Sequence, residues 1–581
     1  MRTNTMKLGD LLIKNDPAFF IPPYQRKYEW TEDQCAVFLN DAFKILASDP
    51  GEGLTHFFGT ILLSVSFESS ICDVRYILID GQQRLTTVFL FLAACRDDAS
   101  CPRRLSKRIS SILLRSGSPR LEQSETDCRE YAEILSSVPP FEKGGRLWEN
   151  YLFFRREISG LSDMRPSFGS LQDLAEAVLE RFTMAILEPE EKDGPLQDIF
   201  ESMNSVGIAL SLADLVRNWL LMLPQASRQK RLFSSCWIPM EEALQAGGVK
   251  DASGFIRSYM EMKGCRSYLQ PPFSGEPKPL YFEFKRLFSD CPKEALLKDL
   301  KLHARLYAQL ETSTTSSPQA NAILQDLNAV NADAAMPFLL LLFSMRQEGR
   351  ISDSDLLKIL KVLKIYFLRR RLRGLTHGKS EWDFANLSKR MEELLKADDK
   401  EESAFRLLSS QSRGLRLPND AEVAECLGGR DFCNNDRKMQ KFFLSLVKGE
   451  LSQSRPDPED PAITIEHIMP QALTPTWKED LGEKADEVQS KLLNNVGNLT
   501  ILPCGLNVQA GNKSFKEKKK IYASQSNDQM SHSCIADCSK WDEEAILRRG
   551  KWITEIFLQA VVPVPQRYRE SDNYISDGSG R

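Results

Sequence analysis

The sequence predicts a mixed fold: α/β at its N-terminal end, α through its middle, and a small strand-bearing block set among helices near its C-terminal end. Three observations point there. Apolar runs of strand length, Phe57–Val65, Tyr76–Ile79 and Met184–Leu187, alternate with helical stretches inside the first 225 residues. Between 226 and 455 the apolar period is helical, at Ala295–Leu310, Ala334–Met345, Ser354–Arg373, Asn386–Leu395 and Arg437–Leu451. Two more strands, around Ile463–His467 and Val496–Pro503, precede a helix that carries Asn507, Asn512, Phe515 and five lysines between 513 and 520.

This pattern divides the chain into an α+β domain over 1–225, a helical connecting region over 226–420, a strand-bearing block over 421–565, and a Ser/Asp/Gly-rich tail over 566–581 that is expected to be disordered. With 581 residues, 42% hydrophobic and 27% charged, the chain has ample core for several domains and reads as a cytoplasmic protein. The run Phe338–Phe343 is far too short to span a membrane. Thirteen cysteines without a Cys-x-x-Cys pair fit reduced, buried thiols. His532, Cys534 and Cys538 lack the second ligand pair of a structural zinc site. A net charge of −4 excludes a general basic coat but leaves room for local basic patches.

Within the N-terminal part, Ile21–Pro22–Pro23–Tyr24–Gln25–Arg26 reads as an extended, rigid segment presenting Tyr24, Gln25 and Arg26, since two prolines forbid helix. Thr31 is the expected N-cap of the following helix. The run Tyr76–Ile79 then breaks at Asp80–Gly81–Gln82–Gln83–Arg84, and a helix follows. A strand, a glycine turn and a helix start gather backbone N–H groups at one point, an anion site that suits phosphate. Arg84 can grip phosphate with two parallel N–H bonds, and Asp80 can hold a metal ion or orient water. The same residues also suit a turn whose side chains only cap backbone groups. Asn204 and Gly207 either face a ligand or close their helix, and Ser211 with Asp214 makes an N-cap pair. Arg369, Arg370, Arg371 and Arg373 either complement a helix C-terminus or meet nucleic acid.

In the C-terminal block, Glu466–His467 closes a strand. A histidine with an ordinary pKa of about 6.5 suits a general base that activates water on a phosphodiester. Glu466 points to the opposite face unless the strand ends there, in which case it would ligate a hard cation such as Mg2+. Asn507 offers a second oxygen ligand, Asn498 is placed to orient the His467 ring, and the lysines after Asn512 would bracket a DNA backbone. Asn494, Asn495, Asn498, Asn507 and Asn512 crowd together, so the metal-bound one is left open.

These motifs occur in one family's order. The chain resembles the GmrSD-type, modification-dependent (type IV) restriction endonucleases of prokaryotic phage defence. The N-terminal resemblance lies at Ile21–Arg26, Phe58–Gly59–Thr60–Ile61, Asp80–Thr87 and Phe200–Glu201…Asn204…Gly207…Leu210–Ser211. The helical segment Tyr366–Arg370 also matches the end of that region. At the other end it lies at Glu466–Gln471, Gly497–Leu502 and Asn507…Asn512…Phe515…Lys518, with Asn498 and Asn507 nine residues apart as in HNH nucleases. The resemblance implies a ParB/sulfiredoxin-like N-terminal domain and a ββα-metal (HNH) nuclease domain. Asp80, Gly81, Gln82, Gln83, Arg84, Thr86 and Asn204 would bind a nucleoside triphosphate, with Asp80 and Arg84 acting in its hydrolysis. Tyr24, Gln25, Arg26, Lys513 and Lys516 would meet DNA or its modification. His467 and Asn498 would be catalytic, with Glu466, Asn507 and Asn512 supporting Mg2+ or another divalent metal. Val206 departs from the polar or basic residue that many relatives carry before the glycine, which argues against a ligand contact there. The expected partners are double-stranded modified phage DNA and the nucleotide, with no membrane and a homo-oligomer allowed. Two other functions fit the same motifs: a nucleotide-switched DNA-binding regulator with a degenerate nuclease domain, and a host-directed DNA-nicking toxin.

Overall fold

The computed structural model describes the chain except residues 49–52, 66–73, 137–143, 160–169, 204–209, 224, 265–276, 376–393, 395, 410–415, 430–431, 453, 525–529, 531–533 and 570–581. Asn204, Val206, Gly207, His532 and most of the helix expected at Asn386–Leu395 lie outside the described residues. The chain forms two compact units, one of residues 1–239 with 288–298 and one of 240–287 with 299–581. No described helix is long and apolar enough to cross a membrane.

The first unit is built on a six-stranded sheet. Its strands are β1 (Arg2–Lys7), β2 (Ala18–Phe20), β3 (His56–Val65), β4 (Arg75–Asp80), β7 (Leu121–Glu122) and β8 (Phe182–Glu188), in the order β1-β8-β3-β4-β2-β7. A separate small hairpin pairs β5 (Leu114–Arg115) with β6 (Ser118–Pro119). β3 runs parallel to β8 and antiparallel to β4, so the sheet is mixed.

Alternation splits each central strand between two cores. Ile61, Leu63, Leu78, Met184 and Ile186 join the main core, whereas Leu62, Ile79 and Leu187 meet Phe200 in a smaller one. After the short helix α1 (Leu8–Ile13), helix α2 (Glu32–Ala47) starts at Thr31, where the Gln34 side-chain oxygen accepts from the Thr31 N–H at 2.7 Å. Helix α3 (Gln82–Arg96) follows β4 directly and is buried all round from Leu85 to Cys95, with Leu85 and Val88–Cys95 in the main core. The motif at Asp80–Arg84 therefore sits where the innermost strand turns into the innermost helix.

The second unit is helical apart from an antiparallel pair, β9 (Ile463–His467) with β10 (Leu499–Pro503), which aligns His467 with Leu499 and Glu466 with Thr500. Val496–Asn498, expected as strand, is a 3-10 turn because the Asn495 side chain accepts from the Gly497 N–H at 2.8 Å. The single helix expected beyond β10 is two, Cys504–Ala510 and Phe515–Ala523, broken at Gly511, whose φ of 43° is left-handed. Asn512 falls in the break. Of the expected disordered tail, Gln566–Tyr568 forms a 3-10 turn and the buried Tyr568 hydroxyl donates to Glu402 at 2.5 Å.

The arginines at the end of helix Asp353–Leu372 are structural rather than DNA-facing. Arg369 and Arg370 are buried. Arg369 donates to the carbonyls of Val562 and Pro418 and to Asp420, so it ties three segments together. Arg371 and Arg373 pair with Asp436 and Glu422.

Candidate functional site

Strand β9 delivers two adjacent side chains to opposite sides. Glu466 turns inward, 3% exposed, where one carboxylate oxygen accepts from Lys518 Nζ at 2.7 Å and from the Tyr522 hydroxyl at 2.6 Å. Lys518 Nζ also donates to the His467 carbonyl at 2.7 Å. Burial pushes the Glu466 carboxyl up and pulls the Lys518 ammonium down, while each partner's charge opposes the shift. The expectation that Glu466 ligates metal does not fit this geometry: its carboxylate is committed to a buried ion pair on the far side of the strand. Lys518, expected with the other lysines to bracket DNA, is that pair's cation. Phe515, Lys518 and Tyr522 form one buried stripe at helical spacing, which is the sequence signal for this role.

His467 opens the other way, onto a cavity of about 850 Å³ lined also by Arg437, Lys441, Asn494, Asn507 and Asn512. Its Nε2 lies 3.2 Å from Asn494 Oδ1, so Asn494, not Asn498, orients the ring. Burial, followed by the charges of Arg437 and Lys518, holds the imidazole below its ordinary pKa; the Asn494 contact works in the opposite direction. The ring is therefore neutral at neutral pH, the form a general base needs.

Asn498 is fully buried and every polar atom of its amide is used. Its oxygen accepts from the Met469 N–H at 2.7 Å and Trp541 Nε1 at 3.1 Å; its nitrogen donates to the carbonyls of Met469 and Leu493. Direct catalysis by Asn498 does not fit: it locks the turn after β9 to the head of β10. Arg549, also fully buried, supports that head by donating to the carbonyls of Gly497 and Leu499.

Asn507 is placed differently. Its amide nitrogen donates to Thr464 Oγ1 at 2.8 Å and to the Ile465 carbonyl at 2.9 Å, which leaves its oxygen uncommitted on a cavity-lining residue. Asn512 lines the same cavity and is exposed. The donors available to a metal are neutral, and among the described residues no three His, Cys, Asp or Glu side chains cluster as a metal site. Mg2+ is usually held by one or two carboxylates with water and substrate phosphate, whereas Asn507 and Asn512 would offer it amide oxygens alone. Lys513 and Lys516 are exposed on the neighbouring turn and helix.

In the first unit, Gly81 holds φ 91°, and a Cβ there would meet Ile61 Cγ2 at 2.5 Å. Half-buried Asp80 is pushed above the ordinary carboxylate range by burial, against the pull of the Gly81 N–H, Arg84 and Arg26. Arg84 donates to the Thr60 carbonyl at 3.0 Å and packs over Gly59. Gln82 is buried and its amide oxygen takes no hydrogen bond, an acceptor in want of a donor.

Its neighbours are already occupied. Gln83 accepts from the N–H groups of Glu29 and Trp30 and donates to the Lys27 carbonyl, and Thr86 accepts from Gln123. Both are framework.

Tyr24 and Gln25 are buried too, so the segment does not present them. The chain turns there, with the Gln25 N–H donating to the Pro22 carbonyl at 3.0 Å. Gln25 then donates to the Ile79 carbonyl at 2.7 Å, and Arg217 donates to the Tyr24 carbonyl at 2.9 Å. Arg26 pairs with Glu29. These residues buttress the end of β4.

Residues 8–221 match the N-terminal domain of the GmrSD restriction endonucleases, and residues 417–556 match the C-terminal domain of the same enzymes. The chain belongs to the GmrSD restriction endonuclease family. No curated protein matches it. As a type IV restriction endonuclease it takes DNA as substrate. The GmrSD N-terminal match contains the Asp80–Arg84 turn, and the GmrSD C-terminal match contains the His467 cavity with Arg437, Asn494, Asn507 and Asn512.

Proposed function

We propose that the protein is an NTP-regulated, divalent-metal-dependent DNA endonuclease of phage defence. It would sense modified DNA and turn over nucleotide through a ParB/sulfiredoxin-like N-terminal domain, and nick or cleave DNA through a ββα-metal (HNH) site. The observation that carries the proposal is the placement of the His467 imidazole, 3.2 Å from Asn494 and open on a cavity that also holds the uncommitted oxygen of Asn507.

In this mechanism His467 takes a proton from water as the water oxygen bonds to phosphorus. One P–O ester bond breaks, and the departing oxygen takes a proton from solvent. Lys518 holds the His467 carbonyl and Asn498 the turn beyond it, which fixes the backbone that carries the ring, and Asn494 meets the ring itself. Bound Mg2+, held by Asn507 with Asn512 near, would supply Lewis-acid stabilisation of the phosphate and leaving oxygen. At the other site, Arg84 and the first turn of α3 would grip nucleotide phosphate, and Asp80 would order the attacking water. The unpartnered Gln82 oxygen would accept from a ribose hydroxyl or base amino group.

The test is cleavage of paired modified and unmodified phage DNA by the full-length protein in Mg2+, with and without each NTP. Wild type is expected to cut the modified DNA and His467→Ala to cut neither. A His467→Ala protein that cuts like wild type sinks the assignment. One observation favours a second function, the nucleotide-switched DNA-binding regulator: the Glu466 carboxylate is tied to Lys518 and Tyr522 and adds no charge to the cavity. Nucleotide turnover without cutting in either Mg2+ or Mn2+ would decide for it.

A further inference from the structure

We propose that Arg437 is a further catalytic residue of the nuclease site, its guanidinium binding the phosphodiester that His467-activated water attacks. The proposal rests on the endonuclease reading above. Arg437 and His467 line the same cavity. Of the cavity's described cations, Lys438 is engaged by Glu459 at 3.0 Å and Lys441 by the Asp460 carbonyl at 2.6 Å. Arg437 is exposed, and no described residue hydrogen-bonds or ion-pairs with it.

Its backbone is nonetheless fixed. Asp436 caps the helix Arg437–Leu451 by accepting from the N–H groups of Lys438 and Met439. Phe442, Phe443 and Leu446 on that helix are buried, and Lys448 donates to the Ile501 carbonyl of β10 at 3.1 Å. A fixed helix thus carries a free guanidinium to the histidine's cavity.

The charge balance points the same way. Glu459 along the cavity is matched by Lys438, and Glu466 on the far side of β9 by Lys518, so no carboxylate is left to compensate the guanidinium. The amides near His467 bring no formal positive charge, so the guanidinium adds a cation against the charge that grows on a phosphate during attack. Arginine meets phosphate with two parallel N–H bonds and stays charged at any working pH, so it does not compete with His467 for protons.

The full-length protein carries the test. Single-turnover cleavage of plasmid DNA, made with cytosine or with 5-hydroxymethylcytosine, in Mg2+ with and without each NTP, is expected to fall about 10²–10³-fold in Arg437→Ala. Arg437→Lys should lie between, and guanidinium ion added to the Arg437→Ala protein should restore part of the rate, which a purely structural lesion would not allow. In a His467→Ala background without divalent metal, adding Arg437→Ala should cut the slope of log K against log salt for a labelled duplex by about one. A cleavage rate within about twofold of wild type, or a loss with neither guanidinium rescue nor a change in slope, overturns the proposal. If wild type cuts neither plasmid, the endonuclease reading fails, and the salt slope alone still decides whether Arg437 meets phosphate.

Discussion

Lys518 and Glu466 form an ion pair with almost no water around it, and its worth lies in what happens when half of it is removed. Lys518→Met leaves a buried carboxylate without its cation, held by the Tyr522 hydroxyl and the His467 N–H, and is expected to cost about 3–5 kcal/mol in urea unfolding. The double variant Lys518→Met/Glu466→Gln should recover much of that. An equal loss in both variants would mean the side chains matter by shape alone. His467 makes the second residue-scale prediction. Its folded-state pKa lies below the ordinary value, so the neutral base persists as pH falls past about 6.5. The acid limb of kcat/KM should therefore lie below that pH. Over the same window the unfolded chain binds the proton first, so stability declines as pH drops from about 6.5 toward the folded value. An acid limb above 6.5 in the pH–rate profile would remove His467 as the base. Sequence spacing singled out His467, which the structure places on the cavity, but not its neighbour: Asn494 and Asn498 are indistinguishable by type, and only the 3-10 turn at Val496–Asn498 decides which faces the ring.

At the scale of elements, close approach does most of the fixing. A Cβ on Gly497 would lie 2.0 Å from the Ile546 carbonyl oxygen and 2.8 Å from the Gly550 nitrogen. Gly497→Ala must push the helix Glu543–Ile556 away from the head of β10, at about 1–3 kcal/mol for overpacking. It should lower Tm and cutting together while leaving nucleotide turnover intact; an unchanged Tm would show that this junction gives way freely. Elements whose ends carry their own chemistry were legible in advance. Thr31 alone and Ser211 with Asp214 announce helix starts, and both form capping boxes, the partner of Thr31 being Gln34. The segment after Ile21 was not legible, because prolines exclude helix without choosing between an extended run and a turn. The Tyr24 carbonyl there accepts from Arg217, 193 residues along the chain, a contact that no local pattern encodes. The arginine row at 369–373 misleads for the same reason: the carbonyls that take Arg369 come from Pro418 and Val562.

Across the whole molecule, the two chemistry-bearing motifs belong to different compact units, Asp80–Arg84 to the first and the His467 cavity to the second. Each has its own core, so a lesson learned at one site does not transfer to the other by packing. This separation makes a test that single-site variants cannot. Asp80→Asn keeps the shape of the side chain and removes its charge, and His467→Ala trims a side chain that faces a cavity. Asp80→Asn is expected to abolish NTP hydrolysis, and His467→Ala to leave hydrolysis at wild-type level while abolishing cutting. If nucleotide turnover licenses cutting, Asp80→Asn should cut no DNA even with NTP present; if turnover only releases the enzyme, it should cut once and stall, a burst without steady-state turnover. Both outcomes are read in one time course of DNA cleavage beside phosphate release. Loss of hydrolysis in His467→Ala would instead mean that a single centre performs both reactions, and would remove the Asp80–Arg84 turn as the nucleotide site.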